Sequence, residues 1–368
     1  MGKTIAVLSG GGMKGMAHIG VLRAIEEIGI EIDEYIGTSM GSLIAAAAAG
    51  GMDTDEMERR ASSIRKSDFF PSKLGVLKQI WNNVTCNGAD GCGGIFSISN
   101  YRDFVKSVLP VDDFRQLPKP LFVNAVNLRS SANVFWGLPG LDDIPVHEAV
   151  VASCSMPGIF PPRVVRGEQY VDGGVGDNLP ISMAEFRKAD LIIAVTLGFR
   201  GAATGQQRAR LRGAFGGFKE IIGSIVRQSS ISIRDKVESS LHFCRTPLVL
   251  IEVDVSEHDV FDFSNIGRLV ERGHRVAREI LESNPAILNK ARSNGNAPSR
   301  WQEHHFSKAK FALDMARCIG CGLCVLACPY DIFRMNGPRA QLIVSNADRC
   351  TQDKACQNNC PAEVIKVL

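Results

Sequence analysis

Two stretches of this 368-residue chain bring together residue types whose spacing does chemistry. The first, Gly37-Thr-Ser-Met-Gly41, reads G-x-S-x-G, the pattern of a serine on a sharp strand-to-helix turn that presents its hydroxyl as a nucleophile. Its flanks must be small, because strand and helix approach closely around it. The N–H of Met40, at the opening of the helix, then points where an oxyanion would form. The second stretch, Cys318-Ile-Gly-Cys-Gly-Leu-Cys-Val-Leu-Ala-Cys-Pro329, reads C-x2-C-x2-C-x3-C-P. It offers four soft thiolate donors in one run, whereas a structural zinc site would want two separated C-x2-C pairs.

The elements that must position the serine follow from local pattern. Residues 32–36 alternate apolar and acidic side chains as a short strand does, and the alanine-rich run 42–50 is a strong helix former. Upstream, a strand over 4–9 enters Gly10-Gly-Gly-Met-Lys-Gly15, then a helix over about 16–28 that Gly29 stops. Gly10, Gly12 and Gly15 fit the dinucleotide-binding spacing, but that reading needs an acidic residue at the end of the next strand. The next strand ends in Gly37-Thr-Ser39 instead. A Walker-type phosphate loop fails too, since Lys14 precedes Gly15 and no Lys-Ser/Thr pair follows. What remains is a run of bare N–H groups at a helix start, a cradle for an anion or oxyanion.

Further along, strands are expected over 120–128, 168–172, 190–196 and 248–255, and a helix over 146–153 leads into a proline-stiffened loop. Strands alternating with helical patterns give an α/β fold with a parallel sheet. Ser39 and Asp172 both fall at expected carboxyl ends of strands, where open α/β sheets build their sites. His18 and His147 lie in no motif and receive no role. A basic amphipathic segment over 211–234 is a candidate for contact with an anionic membrane surface, although a helix covering the sheet is the plainer reading.

Composition narrows the class. With 45% apolar and 22% charged residues the chain is globular, long enough for one large core plus a small module. Its uncharged apolar runs fall short of the ~20 residues of a membrane span, and the N-terminus enters a strand directly rather than a signal peptide. A cytoplasmic protein is expected. Residues 305–368 carry eight Lys/Arg against five Asp/Glu, hence the whole formal charge of +3, too little for nucleic acid. Seven of the eleven cysteines fall in the last 51 residues, and such clustering in a cytoplasmic chain argues for metal over disulfides. Cys86 and Cys92 read as two free loop thiols.

Four motifs in order, Gly10-Gly-Gly-x-Lys-Gly15, Gly37-x-Ser39-x-Gly41, the Ala152-Ser…Phe160-Pro-Pro162 block and Asp172-Gly-Gly-x-x-x-Asn178-x-Pro180, resemble the patatin-like phospholipases over residues 3–290. The resemblance implies a parallel sheet flanked by helices and a serine hydrolase acting on lipid acyl esters through a Ser–Asp dyad without histidine. Ser39 would be the nucleophile and Asp172 its base, with the amides of Gly11, Gly12 and Met40 as oxyanion hole. Gly10, Gly15, Gly37, Gly41, Gly173 and Gly174 complete the motifs, the last two letting the backbone close on substrate. A carboxylate base implies a pH–rate profile without a limb at the histidine value of ~6.5.

The cysteine run, with Cys350-x5-Cys356-x3-Cys360-Pro361, resembles a bacterial two-cluster ferredoxin of small α+β fold. In such modules the fourth cysteine of each run serves the other cluster. The resemblance therefore implies one [4Fe-4S] cluster on Cys318, Cys321, Cys324 and Cys360. The other, [4Fe-4S] or [3Fe-4S], would take Cys328, Cys350 and Cys356, with Asp353 standing where a cysteine should be. The chain divides into a hydrolase domain over 1–290, a polar linker over 291–304 and the iron–sulfur module over 305–368. A lipid or acyl ester is the expected substrate and a redox partner is expected but unnamed. The rival reading is an electron-transfer protein whose first domain only binds an acyl group or a membrane.

Overall fold

The computed structural model describes residues 2–64, 98–198, 237, 240–241, 243–258, 260, 262–284, 302–305, 309–318, 320, 322–328, 330–336, 339–352, 354–360, 362 and 364–368. Cys86, Cys92, the segment 211–234, most of the linker, Cys321 and Asp353 lie outside the described residues.

Eight strands form the main sheet: β1 (Thr4–Leu8), β2 (Glu34–Thr38), β3 (Leu121–Asn127), β4 (Ala132–Trp136), β5 (Arg163–Val165), β6 (Glu168–Asp172), β7 (Leu191–Gly198) and β8 (Leu248–Asp254). Their order is β5-β6-β3-β2-β1-β7-β8, with β4 also paired to β3. The central strands are apolar on both faces, and alternate residues enter two different cores. Leu121, Val123 and Ala125 of β3 join one core with Leu8 of β1 and Ile193 of β7. Phe122, with Val7 and Ile192, joins the other. Helices α1 (Ala17–Ile28), α2 (Met40–Ala49), α3 (Thr54–Ser63), α4 (Ser99–Val108), α5 (Val146–Ser153) and α7 (Ile266–Glu282) feed the first core, and α6 (Ile181–Phe186) feeds the second. Helices on both faces of a mostly parallel sheet are the expected α/β architecture.

One part of the sheet differs from the expectation of parallel strands. β1, β2, β3, β7 and β8 are parallel, but β4 and β6 run antiparallel to β3, and β5 antiparallel to β6. That reversal decides where Asp172 arrives. Thr38 pairs with Asn124 of β3, so Ser39 stands level with Ala125. Asp172 pairs with Ala125 from the opposite side of β3. Ser39 and Asp172 thus flank one strand, two spacings or ~10 Å apart at the backbone. Directly opposed residues share a face, so the Asp172 side chain leans over a methyl group.

The C-terminal residues form a separate core. β9 (Gln302–His305), β10 (Lys310–Leu313) and β13 (Ile365–Val367) make an antiparallel sheet in the order β13-β10-β9, and β11 (Phe333–Asn336) pairs with β12 (Arg339–Leu342). Phe311 meets Phe333 edge-on at 6.1 Å. Short helices α8 (Leu323–Leu326) and α9 (Ala355–Asn358) follow the cysteine-bearing loops.

Because Ala125 is fully buried between the two candidate residues, a larger side chain has nowhere to go. Ala125→Leu should lower the unfolding free energy by roughly 1–3 kcal/mol in urea titration and separate Ser39 from Asp172. Loss of Ser39 reactivity toward a serine-directed probe, with secondary structure retained, is the accompanying expectation; an equally reactive variant would show that Ala125 does not set the spacing.

Candidate active site

Ser39 joins β2 to α2 with φ 52° and ψ −129°. A non-glycine residue held there costs on the order of 1–3 kcal/mol and persists only when its surroundings fix it. Ser39 N donates to Ser153 Oγ at 2.8 Å, and Ser153 Oγ donates onward to Asn124 O at 2.6 Å. Ser39 O accepts from Ser42 N at 2.8 Å and from the Ser42 hydroxyl at 2.6 Å. A Cβ on Gly37 would strike Ser42 Cα, and one on Gly41 the Leu8 carbonyl. Close approach, rather than an unusual φ, is what these two glycines serve.

Asp172 ends β6 and caps the 3-10 turn Gly173–Val175, its Oδ1 accepting from Gly174 N at 2.8 Å. Asp172 N donates to Ser155 O at 3.0 Å. The Ser39 hydroxyl lies within hydrogen-bonding reach of the carboxylate, which burial pushes up from 3.8 to about 6. Ser39 and the Gly174 amide pull it back only in part. The sequence expectation of a profile clear of the histidine range therefore changes: burial brings the carboxylate to that range. At Gly173 a Cβ would strike the Asn124 carbonyl of β3, so this glycine serves close packing against the strand.

The glycine loop after β1 divides its amides. Gly10 N is committed to Asn178 Oδ1 at 3.1 Å. The amides of Gly11 and Gly12 have no partner among the described residues, and Gly12 holds φ 58° while Met13 N donates to Val260 O at 2.9 Å. Met40 N opens α2, where an N–H has no acceptor four residues back. Gly15 leaves room for the Met40 side chain. A serine hydroxyl beside a desolvated carboxylate, with bare amides in the adjoining turns, is what acyl transfer requires.

The histidines are occupied elsewhere. His18 is fully buried, its Nε2–H donates to Ser9 O at 2.8 Å, and burial pulls its pKa down to about 4, so the ring is neutral and supports the glycine loop. His147 Nδ1 is bonded to Asp112 at 2.7 Å, and Glu148 beside it takes the guanidinium of Arg163 at 2.7 and 2.8 Å. His147 opens the helix that Ser153 closes, about 9 Å along its axis from the serine that holds Ser39.

Sequence reasoning missed several supporting side chains. Asn124 donates Nδ2 to Thr38 Oγ1 at 3.3 Å, to Gly173 O at 3.3 Å and to Asp177 O at 2.6 Å, which ties β2, β3 and the turn after β6 together. A polar residue in an otherwise apolar buried strand was its signal. Ser153 and Asn178 stood inside quoted motifs without a role.

In the C-terminal core, Cys318, Cys324 and Cys360 line one small cavity with Met315 and Val364. Burial, then the neighbouring thiols of Cys328 and Cys350, push Cys356 up to about 11. The last cysteine of each run thus sits with the other run, the crossing that two clusters require. Among the described residues no three donors converge on one ion-sized point. Cluster ligands each hold a different iron and stand further apart. The donor set fits iron–sulfur clusters.

Residues 6–185 match the patatin-like phospholipase family and residues 317–364 the 4Fe-4S dicluster domain. An uncharacterized NTE family protein of Mycobacterium bovis is 31% identical over 201 residues, covering 55% of this chain and 50% of that one. The lysophospholipase NTE1 of Meyerozyma guilliermondii is 30% identical over 200 residues, 52% of this chain and 12% of its own length. The chain thus spans half or less of these curated relatives. Among solved structures, VipD of Legionella pneumophila aligns with 18% identity and a TM-score of 0.42, covering 77% of this chain and 67% of that one.

An ionised Asp172 is a liability to the fold. Its folded pKa of about 6 lies above the ordinary aspartate value of 3.8, so the penalty is absent below pH ~4, accrues between the two values and is complete above the upper one, on the order of 3 kcal/mol. Asp172→Asn should therefore be inactive yet more stable than the wild type at pH 8, the gain vanishing near pH 4. Thermal unfolding at both pH values measures it; an equal or lower melting temperature at pH 8 would mean that the carboxylate is not desolvated.

Proposed function

We propose that the patatin-like phospholipase domain of this chain, joined to a 4Fe-4S dicluster domain, is a serine hydrolase of lipid acyl esters. Ser39 is its nucleophile and Asp172 its base, with the Gly11, Gly12 and Met40 amides as oxyanion donors. One observation carries the reading: a serine hydroxyl on a left-handed elbow, within reach of a buried carboxylate and, among the described residues, hydrogen-bonded to no histidine. Asp172 accepts the hydroxyl proton as Ser39 attacks the ester carbonyl, and its raised pKa makes it a better acceptor near neutral pH than an exposed aspartate. The bare amides receive the oxygen's developing charge. The lysophospholipase named among the relatives supports the same substrate class. Among the described residues no helix is long and apolar enough to cross a membrane.

The division at 1–290, 291–304 and 305–368 is part of the proposal. Cys318, Cys321, Cys324 and Cys360 would hold one [4Fe-4S] cluster. Cys328, Cys350 and Cys356, with Asp353 at the remaining corner, would hold a second of [4Fe-4S] or [3Fe-4S] type. Bound clusters supply one-electron transfer, and ester hydrolysis moves no electrons, so the module senses redox state or passes electrons to a partner. An oxygen ligand suits cluster iron less well than thiolate, which makes the Asp353 corner the labile one.

A fluorophosphonate probe separates hydrolase from scaffold. Wild-type protein should be labelled at Ser39 and should turn over lysophospholipid, while Ser39→Ala loses both and keeps its iron. Absence of both label and turnover in folded wild type would leave the domain a binding scaffold. For the clusters, anaerobic protein with excess iron should approach eight irons per chain on the two-cluster reading, and brief air exposure should remove about one. Asp353→Cys should suppress that loss; equal lability of the two proteins would clear Asp353.

A further inference from the structure

We infer that His18 and Asn178 are positioning residues that clamp the Ser9–Gly10 peptide and so aim the Gly11 and Gly12 amides at the substrate oxygen; the inference rests on the hydrolase reading above. The clamp has a jaw on each side of one peptide plane. His18 Nε2–H donates to Ser9 O at 2.8 Å, and Gly10 N donates to Asn178 Oδ1 at 3.1 Å. Ser9 and His18 are fully buried, and Asn178 is nearly so. A carbonyl only accepts and an amide N–H only donates. The two bonds therefore fix the imidazole proton on Nε2 and turn the oxygen of Asn178 toward Gly10.

The neighbours leave this peptide no other setting. A Cβ on Gly41 would strike Ser9 O, and one on Gly10 would strike Asn178 Oδ1 and Ser39 Cβ. The Ser9 carbonyl is thus pressed between His18 and the first turn of α2, and Gly10 between Asn178 and Ser39. At the far end of the loop Met13 N donates to Val260 O at 2.9 Å. Only the Gly11 and Gly12 N–H groups lie between these two anchors, and neither has a partner among the described residues. Asn178 belongs to the segment that follows Asp172, and Asp177 O before it accepts Asn124 Nδ2 at 2.6 Å. The clamp therefore ties the glycine loop to the segment that carries the carboxylate. Packing alone does not explain the imidazole. Its Nδ1 is buried with no partner among the described residues, on a helix whose neighbouring side chains Ala17 and Ile19 are apolar. A leucine there would avoid that orphaned nitrogen.

The test measures kcat and KM on a short-chain ester, and the rate of fluorophosphonate labelling, for full-length wild type, His18→Leu, His18→Gln, Asn178→Ala and the His18→Leu/Asn178→Ala double variant. His18→Leu fills the apolar space without an N–H and should lower kcat about thirtyfold with KM unchanged, within the roughly hundredfold or more that one lost oxyanion donor costs. His18→Gln places an amide N–H at similar reach and should recover to within about fivefold of wild type. A packing role would rank leucine above glutamine. Asn178→Ala should lower kcat about tenfold or more. The double variant should fall no more than about threefold below the weaker single variant, because both residues hold one peptide. Labelling rates should follow kcat, since the phosphonyl oxygen meets the same amides. A kcat for His18→Leu within about twofold of wild type, glutamine no better than leucine, or losses that multiply in the double variant would each overturn the inference. If His18→Leu does not fold, Asn178→Ala decides: a kcat within about twofold of wild type refutes the clamp, and a tenfold drop at constant KM upholds it. Unlabelled, inactive wild type would be a different failure, that of the dyad itself.

Discussion

The site depends on one strained residue. Ser39 is held at φ 52°, and every donor and acceptor around it serves that conformation. With its N–H taken by Ser153 and its carbonyl by Ser42, the backbone of Ser39 cannot relax into the preceding strand or the following helix. The strain turns the hydroxyl out of the sheet and leaves Met40 N as the first unpartnered amide of α2. If the serine relaxed, the proposed nucleophile and one proposed oxyanion donor would be lost together. Strand β3 carries the load on the other side, because Asn124 supports Ser153 through its carbonyl and the Asp172 turn through its side chain.

Much of this was legible in the sequence, and the limits are physical. The bounds of β6 were read correctly because alternation is local, but its direction was not. Whether a strand runs parallel depends on the connection before it, and here short β4 and three-residue β5 supply reversals that no apolar pattern announced. The elbow and the cysteine runs were plain because a few adjacent residues carry their chemistry. The raised pKa of Asp172 was invisible for the opposite reason. Desolvation belongs to whatever the fold packs on the carboxylate, and no residue beside Asp172 in sequence tells of it.

That burial sets stability against chemistry within one side chain. A base exposed to solvent would sit near its ordinary pKa and be a poor proton acceptor, although harmless to the fold. The buried carboxylate gains basicity from the low polarity around it, and the same desolvation burdens the folded state when it ionises. The hydrogen bonds from Gly174 N and toward Ser39 temper the cost without removing it. Their geometry comes from β6 arriving antiparallel, since only then does the strand end over Ala125.

The two halves of the chain solve opposite problems of placement. In the N-terminal α/β unit, Ser39 and Asp172 are far apart in sequence and meet because each borders β3, so β2, β3 and β6 must pair before the two side chains come together. In the C-terminal module most cysteines of each run are local, and only the last crosses over, Cys360 to Cys318 and Cys324, Cys328 to Cys350 and Cys356. That single exchange makes the module's small core depend on both sets of ligands at once. A core of this size gains much of its stability from what its cysteines hold. The proposed dyad, by contrast, is placed by β2, β3, β6 and the loop after α5. Cluster state can therefore influence Ser39 only through contact between folded units or through a shared partner, never by assembling the site itself.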